Sequence, residues 1–439
     1  MAFILYLRTP GEKKRFPRQA DAVVHLEERG FSDHAIHHNL EQFFSSPQGP
    51  RENVAAFLMV SLGIWVADKL IPRRETPDAW TREIVLNLAA PAAWEAPLAR
   101  LTPLLQFLTG DVWTLAARQA PLDLGFAALW PHPWLPQAVV LFSGGLDSLV
   151  GAIDLLEAGK RVVLVSHYDF GQLASVQQRL SDRLRRYYGP DHLHHLGIRV
   201  QFSESPELTL RSRSLLYLAL GLTAAAAFGP DTPLYVPENG WLCFNPPLTL
   251  NRLGPYSTRT THPYFLEQLV AWWREVGISH RLLNPYQSLS KGEMLEQCRN
   301  RRLLKELYPL TISCARPEVG RWQGRATAAC GYCYPCLIRR AALHRLGWDD
   351  AKDYRVEALA DPEIVRRRTQ GRDLRALLFA LKTWEATPAE IEARLWLTRE
   401  MGNLPEFLAE AQGVLKSGFQ EIAHFLRDKG GKQLAAYLE

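Results

Sequence analysis

One hexapeptide constrains the fold of this chain more than any other feature. It occupies Ser143–Ser148, directly after the apolar run Ala138–Phe142 and before an amphipathic stretch that starts at Leu149. The apolar run predicts a buried strand and the amphipathic stretch a helix, with a tight turn between them. A second apolar run, Arg161–Ser166, predicts the next strand. This β-α-β order is typical of a parallel sheet covered by helices.

The hexapeptide has the chemistry of a phosphate-binding loop. Its two glycines allow a tight turn and a close approach to a phosphate, and the start of the following helix attracts an anion. Its two serines add hydroxyl donors. Asp147 would repel phosphate, so we expect it either to hold Mg²⁺ or to fix the loop. The predicted ATP site consists of Ser143, Gly144, Gly145, Leu146, Asp147 and Ser148.

A cluster of cysteines predicts a metal site. Cys330, Cys333 and Cys336 are spaced three residues apart, and Cys314 precedes them. Four thiolates in a tetrahedral shell are the ligands of structural Zn²⁺, and a closed shell leaves no position for a reacting water. We therefore predict structural zinc, with free buried cysteines as the alternative.

Composition indicates an ordinary globular protein. A length of 439 residues favours two or three domains, and 47% hydrophobic with 22% charged residues does not suggest disorder. The net charge of +5 is spread over a long chain and gives no clear nucleic-acid signal. The remaining thiols, Cys243 and Cys298, are expected to be ordinary buried residues.

The apolar stretches do not predict a membrane protein. Val54–Val66 and Leu215–Phe228 both fall short of the roughly 20 residues that cross a bilayer, so we expect buried helices. The start of the chain lacks the pattern of a signal peptide. These observations predict a cytoplasmic protein without a membrane partner.

The sequence divides into three regions that differ in their motifs and in their predicted secondary structure. The first is an N-terminal α+β extension without a chemical motif, the second contains the phosphate loop and the cysteines, and the third is helical, with predicted helices at Pro388–Glu400 and Leu404–Lys416. The predicted domains are 1–135, 136–350 and 351–439.

The hexapeptide matches the signature of PP-loop ATP pyrophosphatases, and residues 138–347 resemble the 7-cyano-7-deazaguanine synthase (QueC) family. Several short matches occur in the order of that family. They lie at Tyr168–Gln172, Arg213-Ser214, Leu289–Glu293, Thr311–Cys314 and Cys330–Arg340. The resemblance implies an α/β fold with a doubly wound parallel sheet of the PP-loop type and a zinc knuckle.

The resemblance also implies a reaction. Enzymes of this family adenylate the carboxylate of 7-carboxy-7-deazaguanine with ATP and admit ammonia to form the amide, and a second activation gives the nitrile. The implied cofactors are ATP, Mg²⁺ and structural Zn²⁺. Lys291 could stabilise charge during transfer and, with Asp147, is the catalytic candidate; a solvated helix lysine is the alternative.

The substrate residues follow the family only in part. Its substrate segment has no clean match, and Tyr256–Phe265 stands at the comparable place. A guanine-like edge needs an acceptor, which Glu238 could supply unless it is a surface residue, while Arg259 could bind the substrate carboxylate. The substrate candidates are Tyr168, Gln172, Arg213, Glu238, Arg259 and His262.

The regions on both sides resemble the long QueC-like proteins of bacterial anti-phage defence operons, such as QatC. In that setting the acyl group would pass to a protein amine, and a protein acceptor or a defence-operon partner would bind. Two alternatives remain open: another PP-loop enzyme that modifies tRNA, and a non-catalytic nucleotide-binding subunit of a defence complex. The oligomeric state, a homo-oligomer included, also remains open.

Overall fold

The computed structural model describes most of the chain. Two predicted segments fall partly outside it: Tyr256–Phe265, through residues 256–258, and the helix Pro388–Glu400, through its last three residues. The described residues are 2–13, 16–27, 34–45, 52–168, 171–202, 204–207, 211–252, 259–315, 329–361, 363–397, 404–431, 434 and 437.

The chain forms two compact units. Their bounds differ from those of the three predicted regions, because the central region contributes to both units. The first unit comprises Met1–Ser143, Ala158–Val236 and Thr258–Leu283, and the second comprises Gly144–Glu157, Pro237–Ser257 and Asn284–Glu439.

A ten-stranded sheet forms the centre of the first unit, in the order β10-β9-β6-β7-β8-β3-β2-β1-β4-β5. All neighbouring strands are parallel except β3 and β8. The predicted α/β class is thereby confirmed. The strands are β1 (Phe3–Arg8), β2 (Ala22–Glu27), β3 (Ala35–His38), β4 (Glu83–Ala89), β5 (Val112–Arg118), β6 (Ala138–Leu141), β7 (Val162–Tyr168), β8 (Leu193–Phe202), β9 (Leu234–Tyr235) and β10 (Leu282–Leu283).

The strands of the predicted N-terminal α+β extension belong to this sheet. β1 to β5 are parallel to one another, and β3 pairs antiparallel with β8, with Ile36 opposite Phe202 and His38 opposite Val200. The alternating burial of β8, where Val200 and Phe202 are buried, suits this pairing. Which strands pair depends on residues far apart in sequence.

Thirteen helices occur among the described residues. Within the first unit, α1 and α5 pack in one apolar core that contains fully buried Trp65 and Trp273. The helices are α1 (Glu52–Leu70), α2 (Glu95–Thr109), α3 (Leu146–Glu157), α4 (Gly171–Tyr188), α5 (Arg213–Ala226), α6 (Gly240–Phe244), α7 (Pro263–Glu275), α8 (Lys291–Glu296), α9 (Arg301–Leu307), α10 (Tyr334–Arg345), α11 (Arg372–Ala386), α12 (Pro388–Trp396) and α13 (Leu404–Lys429).

Helix α1 is long and apolar enough to cross a membrane by length and composition. However, 89% of its most apolar window is buried inside the protein, as in the core helix of a folded domain. The two apolar stretches predicted to be buried helices are buried as α1 and α5.

A buried ionic network fixes the start of α5 in the first unit. Asp68 pairs with Arg82, and Arg82 Nη2 also donates to Asp111 at 2.7 Å. The second oxygen of Asp68 accepts from the backbone N–H groups of Arg211 and Ser212, both at 2.9 Å. A carboxylate of α1 thus satisfies N–H groups at the N-terminus of α5.

The second unit is mainly helical. Its core is formed by α6 and α10 to α13, with buried residues such as Trp241 and Phe419, whose ring centroids are 5.0 Å apart. The predicted helix Leu404–Lys416 is longer in the structure and ends at Lys429.

Candidate functional site

The predicted phosphate loop forms a tight turn between β6 and α3. Gly144 has φ = 82°, in the left-handed region that favours glycine. The carbonyl of Gly144 accepts the backbone N–H of Ile312 at 3.0 Å. The carbonyl of Gly145 accepts the Ser148 hydroxyl at 2.9 Å and the Leu149 N–H at 3.2 Å. The loop therefore leads directly into the first turn of α3.

Asp147 is held by protein groups on both carboxylate oxygens. The ammonium of Lys291 pairs with Oδ1. Asn239 donates to Oδ2 twice, from its backbone N–H at 3.1 Å and from Nδ2 at 2.5 Å. Asp147 is only 6% exposed. Of its two predicted roles, this geometry favours fixing the loop, because neither oxygen is presented to a Mg²⁺ ion.

Lys291 is a buried residue at the first position of α8. Ser290 caps this helix: its hydroxyl accepts the N–H of Glu293, and the Glu293 carboxylate accepts the Ser290 N–H. Lys291 is 3% exposed, so the alternative of a solvated helix lysine does not fit. The capping box instead aligns the lysine with Asp147.

Glu238 and Asp147 are interacting carboxyl groups whose pKa values are shifted in opposite directions. Burial and the neighbouring Asp147 charge raise the pKa of Glu238 well above its ordinary value. Burial would also raise the pKa of Asp147, but the Lys291 charge and hydrogen bonds from Glu238, Lys291 and Asn239 outweigh it and lower that pKa. These opposite shifts favour the protonated form of Glu238 beside the ionised form of Asp147.

The four predicted metal ligands lie together. Their sulfur atoms are all within 4.8 Å of one another. The Sγ atoms of Cys314 and Cys333 are 3.9 Å apart, and those of Cys330 and Cys336 are 3.8 Å apart. A tetrahedral zinc with Zn–S bonds of about 2.3 Å requires S–S distances near these values. The cluster can therefore hold a zinc ion.

Gly331 shapes the turn between the first two ligands of the Cys330–Cys336 segment. It has φ = 87°, and a Cβ added there would lie 2.3 Å from the carbonyl oxygen of Val356. Only glycine fits this turn.

Tyr168 borders a cavity of about 610 Å³ in the first unit, together with Gln177, Gln178 and His195. Gln177 is 1% exposed, and its Nε2 donates to the carbonyl of Ser143 at 3.2 Å. Its Oε1 has no hydrogen-bond partner in the part of the chain that the structure describes. Gln177 thus places a buried amide oxygen without a described partner beside the cavity.

Burial lowers the pKa of His195 to about 4, so this ring is neutral at physiological pH. His195 Nε2 lies 2.9 Å from Ser166 Oγ, and its Nδ1 lies 3.2 Å from Gln178 Oε1. These hydrogen bonds fix the orientation of the ring.

The other predicted substrate residues of the first unit lie apart from this cavity lining. Gln172 is exposed on the first turn of α4, and Arg213 is half-buried at the start of α5. Arg259 donates to the Phe107 carbonyl at 2.9 Å, with its guanidinium 4.5 Å from the Phe107 ring centroid. The ring of His262 packs edge-on against Phe107 at 5.3 Å. Arg259 and His262 therefore both lie against Phe107.

Three residues of the second unit were not predicted. Asn239 both caps α6 and binds Asp147, and an asparagine before a helix is a signal that sequence reasoning could have used. Ser313 accepts the Leu146 N–H at 3.3 Å. Glu421 binds the start of α8 from α13, and no local sequence signal indicates this contact.

Comparison with known proteins places this site in context. No protein-family model and no solved structure matches the chain. The chain is 25% identical over 233 residues to a 7-cyano-7-deazaguanine synthase of Leptospira interrogans, covering 48% of this chain and 88% of the relative. It is 26% identical over 254 residues to a 7-cyano-7-deazaguanine synthase of Thermoplasma acidophilum, covering 53% of this chain and 98% of the relative.

These matches take in most of each relative and about half of this chain. They agree with the phosphate loop, the cysteine cluster and the parallel sheet. The chain is therefore QueC-like, with a region similar to 7-cyano-7-deazaguanine synthases inside a longer polypeptide.

Proposed function

We propose that this protein is an ATP-dependent ligase that adenylates the carboxylate of a 7-deazaguanine, with 7-carboxy-7-deazaguanine as its first candidate substrate. The relatives support an enzyme of the ATP-dependent ligase type. The observation that carries the proposal is the glycine turn at Gly144, with buried Lys291 paired to Asp147 on the helix behind it.

The proposed activation is a phosphoryl-centred substitution. A carboxylate oxygen attacks the α-phosphorus of ATP, the bond from that phosphorus to the bridging oxygen breaks, and pyrophosphate leaves. Backbone N–H groups at the start of α3 bind phosphate oxygens. The ammonium of Lys291 stabilises the charge that develops on them, and Asp147 keeps it in place. Mg²⁺ would accompany the phosphates, with no protein ligand assigned to it.

The proposed second step transfers the acyl group to nitrogen. An amine nitrogen attacks the acyl carbon, the bond to the AMP oxygen breaks, and the nitrogen loses a proton. With ammonia the product is an amide. Adenylation of the amide oxygen by a second ATP, then loss of AMP and of the two amide protons, gives the nitrile. With a protein amine the product is a modified protein, as expected in an anti-phage defence role in the cytoplasm.

The cavity beside Tyr168 supports recognition of a neutral heterocycle. Gln177 Oε1 is a buried acceptor, and an N–H group of a purine-like ring would satisfy it. The neutral ring of His195 and the aromatic ring of Tyr168 would contact the flat heterocycle, and the exposed Arg179, which also lines the cavity, would supply a positive charge for its carboxylate.

The chemistry of the remaining thiols argues against a tRNA thiolase. Four of the six cysteines form the metal cluster. Cys243 and Cys298 are buried, and burial together with the charge of Asp154 raises the pKa of Cys298 to about 12. A thiol of this kind is a poor nucleophile at neutral pH.

The test is incubation of the protein with ATP, Mg²⁺, 7-carboxy-7-deazaguanine and ammonium, with pyrophosphate and product masses as readouts. The proposal expects pyrophosphate release that depends on the acid, together with an amide or nitrile. A mass gain on an added protein would identify the amine acceptor instead. ATP binding without pyrophosphate release for any carboxylate would refute the ligase and favour the non-catalytic subunit.

Gly144→Ala and Gly159→Ala form a matched pair for this assay. Both glycines have a positive φ, 82° and 71°, so alanine introduces similar backbone strain at both. Gly159 has no atom within 4 Å of an added Cβ and lies outside the loop. If Gly144→Ala loses ATP binding while Gly159→Ala retains it, the loop is the nucleotide-binding site.

A further inference from the structure

The carboxylate of Glu421 binds the residues on both sides of Lys291, through the Ser290 hydroxyl and the Gly292 backbone N–H. Glu421 lies on α13, is 5% exposed and belongs to the second unit, as α8 does. The Ser290 hydroxyl donates to its Oε1, and the Gly292 N–H donates to its Oε2 at 3.0 Å. Arg345 adds a third donor to Oε1 at 3.2 Å. A buried carboxylate is costly unless such donors compensate it.

The approach of α13 to α8 is close. A Cβ added at Gly292 would lie 2.5 Å from Glu421 Oε1 and 2.8 Å from Arg345 Cδ. Only a glycine allows Glu421 to reach the backbone at this point. The Ser417 hydroxyl, one turn earlier on α13, also donates to Ser290 Oγ at 3.2 Å.

The same helix also supports the other segment that binds Asp147. Gly418 lies against the Trp241 ring, and an added Cβ would be 2.1 Å from Trp241 Cε3. Trp241 is the second residue of α6, which Asn239 caps. Helix α13 therefore packs against the two segments that supply Asn239 and Lys291 to Asp147.

We propose that Glu421 is a positioning residue, through which the C-terminal helix α13 keeps the Lys291 ammonium on Asp147. The catalytic consequence rests on the proposed function, whereas the positioning itself does not. The C-terminal region, which lies beyond the residues that resemble the synthase family, is then part of the support of the site.

The first test needs no activity. Lys291 is labelled with an amine-reactive reagent in the folded protein, and its labelling rate is measured by mass spectrometry relative to exposed Lys305 on α9. In the wild-type protein, burial and the Asp147 ion pair protect Lys291. In Glu421→Gln, an amide N–H₂ group faces the Ser290, Gly292 and Arg345 donors and cannot accept from them. The start of α8 is then held less firmly, so we expect faster labelling of Lys291. Glu421→Asp, which retains the charge, should restore part of the protection.

Asp428→Asn is the matched control. Asp428 lies on the same helix, pairs with His344 at 2.8 Å and has a side chain that is 63% exposed. Its substitution should leave the labelling of Lys291 unchanged. If Glu421→Gln does not fold, Arg345→Met removes one donor from the same carboxylate without removing the cap of α8, and serves in its place. Equal labelling of Lys291 in the wild-type and substituted proteins would overturn the proposal.

The second test is a double-substitution cycle on pyrophosphate release. Glu421→Gln should lower kcat by about 10-fold to 100-fold, the scale for small misplacement of a reacting group, with a smaller change in KM. In a Lys291→Met background it should cause no further loss, because the effect acts through the lysine. Equal losses in both backgrounds would show a merely structural role. Absence of pyrophosphate release in the wild-type protein would refute the proposed function and leave the labelling result intact.

Discussion

The backbone N–H of Leu146 donates a hydrogen bond to the hydroxyl oxygen of Ser313 at 3.3 Å, and Ser313 directly precedes the predicted metal ligand Cys314. The adjacent Ile312 N–H donates to the Gly144 carbonyl at 3.0 Å. One short segment thus joins the cysteine cluster to the phosphate loop. A structural metal that orders this segment would also order the loop.

Loss of the metal should therefore weaken ATP binding. We expect about one zinc per chain by elemental analysis, and weaker ATP binding by calorimetry after chelation or in Cys330→Ser. Cys298→Ser is the control, since this buried thiol lies outside the cluster. If a chain that has lost its zinc binds ATP with unchanged affinity, the metal does not support the phosphate loop.

Glu238→Gln should change the pH dependence of stability. The raised pKa of Glu238 means that the folded state retains a proton that the unfolded state loses above pH 4.5, so the wild-type protein becomes less stable as pH rises above that value. In Glu238→Gln, the side-chain amide can donate an N–H to Asp147 at any pH, so this contact no longer depends on a proton that titrates. We expect similar unfolding temperatures for both proteins near pH 4.5 and a higher one for Glu238→Gln at pH 8. A constant difference across this range would show that Glu238 is ionised.

Asp68→Asn should strongly destabilise the first unit. Asp68 is fully buried between Arg82 and the start of α5. Breaking a buried ion pair from one side costs about 3–5 kcal/mol. The control is Glu275→Gln, which removes the pair with Arg100, whose side chain is 59% exposed, and should have little effect. Chemical denaturation of both variants measures the difference, and equal stabilities would contradict the importance of the network.

Ser175→Trp should identify the ligand of the cavity. Ser175 is an exposed residue of α4 that lines the cavity, so a large side chain there should obstruct it. We expect weaker binding of either ATP or 7-carboxy-7-deazaguanine when each is titrated alone by calorimetry. Arg186→Trp, exposed on α4 outside the lining, is the control. Unchanged affinity for both ligands would leave the cavity without a role in binding them.

Local patterns predicted the parts of the site that are local in sequence. The glycine turn at Gly144 and the cysteine spacing each lie within a few residues, so their chemistry can be read directly. The β-α-β pattern around α3 was predicted for the same reason, and the parallel sheet confirms it.

Contacts between distant segments could not be predicted in this way. The burial of Lys291 depends on Asp147, 144 residues away, and the position of Glu421 depends on how α13 packs. Strand pairing is equally non-local: the sequence indicated an α+β extension at the N-terminus but not that β3 would join β8. The predicted roles in substrate binding stay predictions for all six candidates: Tyr168, Gln172, Arg213, Glu238, Arg259 and His262.

The antiparallel pairing of β3 with β8 has a consequence for shortened versions of this protein. Without residues 1–135, β8 would become an edge strand, and the row of backbone donors and acceptors around Val200 would face solvent. Such edges recruit strands from other molecules. A fragment limited to the synthase-like region would therefore tend to aggregate even if all its site residues were present.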